Sequence, residues 1–334
     1  MKVSASVYSS TSDLKELILK LEELKVDFIH IDCNDDNDVF KDIKLIREIT
    51  NIPIDLHIIS EYPSRFYNDI IDNEIEFATF QYECIKEELI LPPEIIAKTE
   101  IGIAIMTDTS IDIFDKFKDF ANFILIMATI PGKSGGKFAV ENFQKIRNFN
   151  KKYNKKIHVD GGINAEIAFI LRNLGVDSVV SGSYLVNSND IFKSLFNLKY
   201  GVTGECKVQD FMVLLEESPF LYSNNLSLKS IIKCIVMGGL GFCIILESDN
   251  RIQGIVTSGD ILRYFLHQQY DFKNFEINNL INRDPFLIKS KDSVLNMVNL
   301  LKTSKKSLVF VPVVDDNNKV LGVVSFKELI KGGF

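Results

Sequence analysis

The feature that most constrains this chain is a rhythm in its first two hundred residues: short β-branched runs alternate with longer amphipathic stretches. The runs are KVSASVY from Lys2, FIHID from Phe28, IPIDLHI from Ile52, FATFQY from Phe77, IGIAI from Ile101, FILIMA from Phe123, KIHVD from Lys156 and DSVVSG from Asp177. Between them lie helical periodicities such as Ser12 to Lys25, with leucines at three- and four-residue steps, and Ala165 to Leu174, for which Asn164 is a suitable cap. Eight strand–helix units in about 200 residues predict a parallel (β/α)8 barrel at the compact end of its size range. A doubly wound open sheet is the alternative, but it usually has fewer strands and a glycine fingerprint after the first one, which this sequence lacks.

After Tyr200 the pattern changes to a weak internal repeat. SPFLYSNNLSLKSIIK answers DPFLIKSKDSVLNMVN, and RIQGIVTSGDIL answers KVLGVVSFKELI. Pro219 and Pro285 are 66 residues apart and Gly254 and Gly322 are 68 apart, so the copies stay nearly in register. Each copy reads as a lead-in strand, a helix, two short strands and a closing helix, and two such units bury their apolar faces on each other. The expected organisation is a barrel over residues 1–200 and an α+β pair over 201–334. Its repeats fall at about 205–270 and 275–334, after a short linker near Gly201 to Glu205.

Composition narrows the function classes. Asp and Glu number 45 against 38 Lys and Arg, a net charge of -7, which argues against a nucleic-acid coat or a polybasic membrane anchor. Backbone amides and local cations can still hold a phosphorylated small molecule. The N-terminal stretch MKVSASVYSSTSDLKEL has no apolar signal core, and no apolar run reaches the roughly 18 residues of a membrane span, so a cytoplasmic location is expected. The five cysteines, Cys33, Cys84, Cys206, Cys234 and Cys243, never fall in a CxxC pair, and suggest neither a disulfide framework nor a thiolate zinc site.

Strand alternation places polar groups together. Side chains on a strand alternate with period two, and the inward face of a barrel reaches the active site at its carboxyl end. His30 and Asp32 share one face of the second run, Asp55 and His57 one face of the third, His158 and Asp160 one face of the seventh, and Ser4 and Ser6 one face of the first. Any one of these groups is accounted for by an internal hydrogen bond, and Asp55 and His158, lower in their strands, suit that role. The set is different, because unpaired charges inside a barrel cost several kcal/mol unless they are paired or bind a metal. Two imidazoles and two carboxylates suit one divalent ion of zinc, iron, manganese or cobalt.

At this point the chain resembles ribulose-phosphate 3-epimerases over roughly residues 2–190, through SASVYSS, DFIHIDCND, IPIDLHI, LIMATIPGKSGGKF, IHVDGGIN and SGSYLV in that order. The resemblance implies that His30, Asp32, His57 and Asp160 bind one divalent metal. It also makes Asp32 and Asp160 the two acid/base groups that epimerise C3 of a ketose phosphate through an enediolate. It places Ser6 and Met127 near the substrate, and Gly135, Gly161, Gly162, Gly182 and Ser183 around it and its phosphate. Two carboxylates are needed because the proton leaves one face of a planar carbon and returns to the other. Departures lie in the shell around these groups: Asn34 and Ile59 stand where the family has methionines, and the lid reads Ile130 to Gly136 with a lysine, Lys133, inside it. The expected substrate is therefore a pentulose 5-phosphate such as ribulose or xylulose 5-phosphate, or a related sugar phosphate. The rival expectation is a catalytically silent barrel acting as a sensing scaffold.

The C-terminal repeat resembles a tandem CBS pair, through GIVTSGDILR from Gly254 and GVVSFKELIK from Gly322. The resemblance implies that Thr257 and Asp260, and in the second copy Ser325 and Glu328, contact the phosphate and ribose of an adenine or other nucleotide acting as effector. The alternative is a dimerisation element without ligand. Both resemblances imply a homo-oligomer.

Overall fold

The structure, a computed structural model, describes residues 1–132, 135–201, 207–267, 276–294, 296–297 and 309–325. It divides into two compact units, one built on residues 1–201 and one on the described residues from 207 to 325.

In the first unit every one of the eight apolar runs is a strand. β1 (Lys2–Ser6), β2 (Phe28–Cys33), β3 (Ile54–Ile58), β4 (Phe77–Gln81), β5 (Glu100–Met106), β6 (Phe123–Met127), β7 (Lys156–Asp160) and β8 (Ser178–Ser181) are all parallel and close in chain order, β8 pairing back onto β1. The open-sheet alternative is thereby set aside. Around the ring run α1 (Leu14–Glu23), α2 (Val39–Ile49), α3 (Tyr67–Asp72), α4 (Pro93–Lys98), α5 (Asn142–Lys152), α6 (Ala165–Asn173), α7 (Ser183–Val186) and α8 (Ile191–Tyr200).

The helix limits follow local chemistry. The Asp13 side chain accepts from the Glu16 N–H and the Asn164 side chain from the Ile167 N–H, each satisfying a backbone donor that the first turn leaves free. α1 buries Leu17, Ile18 and Leu21, the leucine-type stripe of the sequence. The connection from β5 to β6 departs from a strict strand–helix alternation. It is a 3-10 turn over Ile111–Lys116, begun by Ser110 accepting from the Asp112 N–H, and it buries Phe114 edge-on against Phe149 of α5. One large side chain covers that side of the barrel, so a full helix is not required. After β8 two helices follow, the short α7 and then α8, the arrangement that barrels use to hold a phosphate.

The second unit contains β9 (Val213–Leu214), β10 (Phe220–Tyr222), α9 (Leu228–Gly238), β11 (Phe242–Leu246), β12 (Ile252–Thr257), α10 (Ser258–His267), β13 (Ile288–Lys289), β14 (Phe310–Val314) and β15 (Val320–Ser325). Its sheets run β10-β11-β12 and β13-β14-β15-β9. The repeat is visible in the register: Ile245 pairs with Gly254 and Val313 with Gly322, and each hairpin shifts register one residue later, at Leu246 and Val314. Both glycines are there for the same reason. A Cβ on Gly254 would lie 2.5 Å from the Asn282 carbonyl oxygen, and one on Gly322 2.1 Å from that of Val213. The opening segment of each copy crosses to the other, β9 pairing with β15 and Asn282 bridging Ile255, so neither copy completes its sheet alone. The apolar faces meet in one core that joins Phe242, Ile244 and Leu246 to Val314, Val320 and Val323.

Candidate active site

The alternation read from the sequence places its polar groups inside the barrel. The Ser4 hydroxyl donates to Asp55 Oδ2 at 2.8 Å, and the same oxygen lies 3.0 Å from His30 Nδ1. His30 Nε2 lies 3.3 Å from Asp32 Oδ1 and 4.0 Å from Asp160 Oδ2, and His57 Nδ1 lies 3.0 Å from Asp32 Oδ1. On its far side His57 Nε2 meets Gln81 Oε1 at 2.9 Å. Ligand atoms of His30, His57 and Asp160 all fall within 4.8 Å of one another, and Asp32 bridges the two rings.

This arrangement fits a divalent cation on its own chemistry. Each imidazole has its outer nitrogen against an oxygen acceptor, Asp55 for His30 and Gln81 for His57, which assigns the ring proton to that side. The inner nitrogens face carboxylate oxygens, and a ring lone pair facing such an acceptor at about 3 Å requires positive charge between them, a proton or a bound cation. Two imidazole nitrogens and two carboxylates are a donor set suited to zinc, iron, manganese or cobalt.

The electrostatics of the cluster separate its two carboxylates. Burial opposes charge on His30, but the Asp55 and Asp32 carboxylates outweigh it and hold that imidazole well above its ordinary pKa. Burial also works against ionised Asp32, yet the hydrogen bonds and charge of His30 and His57 keep it far below the usual carboxylate range. Asp160 goes the other way and is pushed up to about 6, chiefly by burial, with the Asp32 charge adding to it and His30 opposing. Asp55 is held low by His30 against the cost of burial, while burial takes His158 down to about 4, its ring stacked on Phe123 with centroids 4.0 Å apart. Asp55 orients His30, and His158 belongs to the interior packing.

Above the cluster opens a cavity of about 460 Å³. Asp32 and Asp160 reach it, whereas His30 and His57 are 1% and 0% exposed and lie beneath. Ser6, Gly135, Gly161, Gly162, Gly182 and Ser183 all line it, together with Tyr8, Ser9, Asn34, Thr129, Asn164 and Tyr184, which alternation on the strands could not reach because they lie beyond the strand ends. Gly161 and Gly162 have φ of +107° and +67°, and a Cβ on Gly162 would meet the Phe138 backbone nitrogen at 2.3 Å. Gly182, at the start of α7, is packed so closely that a Cβ there would lie 2.4 Å from Ser9 Oγ. Backbone N–H groups at such positions approach an anion without a side chain in the way.

Met127 is not among the residues that line the cavity. It is 1% exposed and packs with Ala104, Phe123 and Leu125 inside the barrel, because it continues the inward apolar face of β6. Asn34 does reach the cavity, Ile59 is not among the residues that line it, and Lys133 lies outside the described residues. Gln81 was missed by reasoning from ionisable groups alone. Its signal is the alternation on β4, where Thr79 and Gln81 share a face, both fully buried.

A model of the ribulose-phosphate 3 epimerase family matches residues 2–186, more than half of the chain. The chain belongs to this family. The ribulose-phosphate 3-epimerase of Methanocaldococcus jannaschii is 31% identical over 216 residues, covering 60% of this chain and 90% of that protein. The Bacillus subtilis enzyme of the same name is 26% identical over 219 residues, covering 60% and 98%. The barrel is that of a sugar-phosphate epimerase, an isomerase. A CBS domain model matches residues 277–333. Solved structures similar to the C-terminal part include a CBS domain-containing protein of Bacillus anthracis, 15% identical over 38% of this chain and 92% of that one, with a TM-score of 0.33. Among the described residues of the epimerase, no helix is long and apolar enough to cross a membrane.

In the CBS unit Thr257 and Asp260 are brought together, but on each other. The Thr257 N–H and hydroxyl both donate to Asp260 Oδ2, at 2.8 and 2.7 Å, and the Asp260 N–H donates back to the Thr257 hydroxyl, a capping box at the start of α10. Arg263 Nη2 donates to the other oxygen, Asp260 Oδ1, at 2.5 Å. Ser325 ends β15, opposite Phe310, in the position that Thr257 holds opposite Phe242. Glu328 lies outside the described residues.

Proposed function

We propose that the barrel epimerises C3 of a ketose phosphate, a pentulose 5-phosphate such as ribulose or xylulose 5-phosphate or a related sugar, by two-base proton transfer. The observation that carries this reading is the pair Asp32 and Asp160, set on β2 and β7, both lining one cavity and pushed in opposite directions from the ordinary carboxylate pKa. Asp32 is ionised, and Asp160, pushed up to about 6, takes up and releases a proton close to neutral pH, so the form with Asp32 as base and Asp160 as acid is populated. Asp32 takes the C3 proton from one face, the electrons pass to the C2 oxygen as an enediolate, and Asp160 returns its proton to the opposite face; the reverse reaction exchanges the roles. A divalent metal held by His30, Asp32, His57 and Asp160 would supply Lewis-acid stabilisation of the negative charge on the substrate oxygens. Ser6 would contact the sugar, Gly161 and Gly162 would line the path, and backbone N–H groups of Gly182 and Ser183, with Gly135 in the lid, would hold the phosphate.

The test is solvent exchange. Substrate incubated with metal-loaded protein in D2O should acquire deuterium at C3 in both epimers, read by proton NMR. No exchange across a panel of ketose 5- and 6-phosphates would leave the barrel a silent scaffold.

We further propose that residues 201–334 form a tandem CBS pair that binds a nucleotide and tunes the epimerase. The 68-residue register supports it, since it sets Thr257 and Ser325 at matching strand ends. Self-association belongs to the same proposal. Ile232, Val236 and Met237 of α9 and Leu262 and Leu266 of α10 stand exposed, an apolar surface suited to a second copy of the chain. Mass in solution at micromolar concentration tests it, and a strict monomer would remove that part of the proposal.

A further inference from the structure

We propose that Glu83, acting through Gln81, sets the tautomer of His57 and thereby points its Nδ1 lone pair at the metal position, so that both are positioning residues. The inference rests on the metal reading above. A carboxylate only accepts hydrogen bonds. Glu83, in the 3-10 turn Tyr82–Cys84 that follows β4, takes the Met106 N–H at 2.8 Å and the Thr109 hydroxyl on Oε1, and the Gln81 amide NH2 on Oε2. The nitrogen end of the Gln81 amide is thus committed to Glu83, and only its oxygen remains for His57.

That oxygen, 2.9 Å from His57 Nε2, also only accepts, so Nε2 carries the proton. With a cation between His57 Nδ1 and Asp32 Oδ1, 3.0 Å apart, the ring keeps one N–H, on Nε2, and its Nδ1 lone pair points at the cation. One acceptor-only group at the mouth of the barrel therefore decides, two hydrogen bonds away, which nitrogen of a fully buried ring is free to coordinate. His30 is handled differently, with the Asp55 carboxylate directly on its Nδ1. A carboxylate partner raises imidazole basicity more than an amide does, so the two rings are a stronger and a weaker donor.

The test has two arms. In zinc-loaded protein labelled with 15N-histidine, long-range nitrogen–proton correlation should show His57 protonated on Nε2; an Nδ1–H form would overturn the proposal. In the second arm zinc affinity is measured by competition with a chromophoric chelator, and folding is checked by the thermal melt. Gln81→Leu removes the acceptor and should weaken zinc binding about 10- to 100-fold. Gln81→Glu combined with Glu83→Gln exchanges carboxylate and amide while keeping an acceptor oxygen on His57 Nε2, and should recover most of the lost affinity. A folded Gln81→Leu protein that binds zinc as tightly as the parent, or a double variant no better than Gln81→Leu, would also overturn it. If Gln81→Leu does not fold, the tautomer of the parent protein decides. A parent that binds no zinc would refute the metal reading itself, whereas a parent that binds zinc with His57 protonated on Nδ1 would overturn the positioning role alone.

Discussion

Phe242 and Phe310, 68 residues apart, stack face to face with ring centroids 3.6 Å apart and planes within 15°. Each begins the central strand of its copy, so the stack is where the repeat meets itself. The same symmetry recurs nearby: the Ile252 N–H donates to the Asn318 carbonyl and the Val320 N–H to the Asn250 carbonyl, again offsets of 68. Phe242→Ala should therefore destabilise the whole C-terminal unit by about 3 kcal/mol or more rather than one copy of it. Denaturant unfolding should show a single cooperative loss for that unit, and a double-mutant cycle with Phe310→Ala should give a coupling of about 0.5–1.5 kcal/mol. Independent unfolding of the two copies would contradict the shared core.

His158 makes barrel stability fall with acid. Its ordinary pKa of 6.5 drops to about 4 in the fold because burial disfavours the charge. The unfolded chain thus takes up a proton that the folded one refuses, and stability present above pH 6.5 is lost as pH falls toward 4. A shift of that size corresponds to roughly 3 kcal/mol. Between pH 7 and pH 4.5 the parent barrel should lose about 2 kcal/mol more than His158→Phe, measured by urea unfolding at both pH values. Parallel pH profiles for the two proteins would show that His158 is not the titrating group.

The barrel was legible because its signal is local: eight apolar runs, each long enough to be a strand, and polar residues that alternate within them. His30, Asp32, His57 and Asp160 share the inward face for that reason alone. The residues that sequence reasoning missed lie where alternation ends or where the group is neutral. Tyr8 enters the cavity from a 3-10 turn, Thr129 from a loop and Tyr184 from the short α7, all beyond the strand ends where the alternation stops, and Gln81 carries no charge to draw attention to it. Met127, in register with Asp160 on the neighbouring strand, lies in the packed interior, because alternation fixes the face of a strand residue and not its depth.

The two carboxylates proposed as bases should be separable from each other. Asp32→Asn and Asp160→Asn should each lower turnover by about 10²–10⁴-fold, since a positioned acid or base contributes about that much. With one base left, each variant should still exchange the C3 proton of one epimer with D2O without inverting it, and the epimer should differ between the two variants. NMR of each epimer separately decides. Full exchange of both epimers by either variant would end the two-base assignment.

Metal removal gives an independent check on the floor of the cavity. His30→Ala and His57→Ala should each reduce bound metal, measured by elemental analysis after dialysis, and chelation of the parent should abolish epimerisation until zinc, manganese, iron or cobalt is restored. The loss should exceed the loss in barrel stability, because the rings contribute a lone pair as well as packing. Activity untouched by exhaustive chelation would show that the four residues serve another purpose.

Nucleotide binding at the CBS unit makes a demand on Asp260 that the structure defines closely. Oδ2 already accepts twice from Thr257 and Oδ1 once from Arg263, which leaves one acceptor site, so both hydroxyls of a ribose can be held only if Arg263 releases Oδ1. The Thr257 capping box stays in place, while the exposed arginine is free to turn toward the phosphate of the incoming nucleotide. Calorimetry with AMP, ADP, ATP and the cytidine nucleotides should detect binding, and Asp260→Ala should weaken it at least tenfold while costing about 1 kcal/mol of stability through the lost cap. Arg263→Ala separates the two effects, because it frees the carboxylate without removing the cap. That variant should retain a nucleoside but lose affinity for the phosphorylated forms. Regulation requires more than binding: the nucleotide must favour one state of the enzyme over another, so epimerase rates with and without saturating ligand must differ. If no nucleotide binds, or binding is indifferent to Asp260→Ala and never changes the rate, the repeat is an assembly element and the effector role falls.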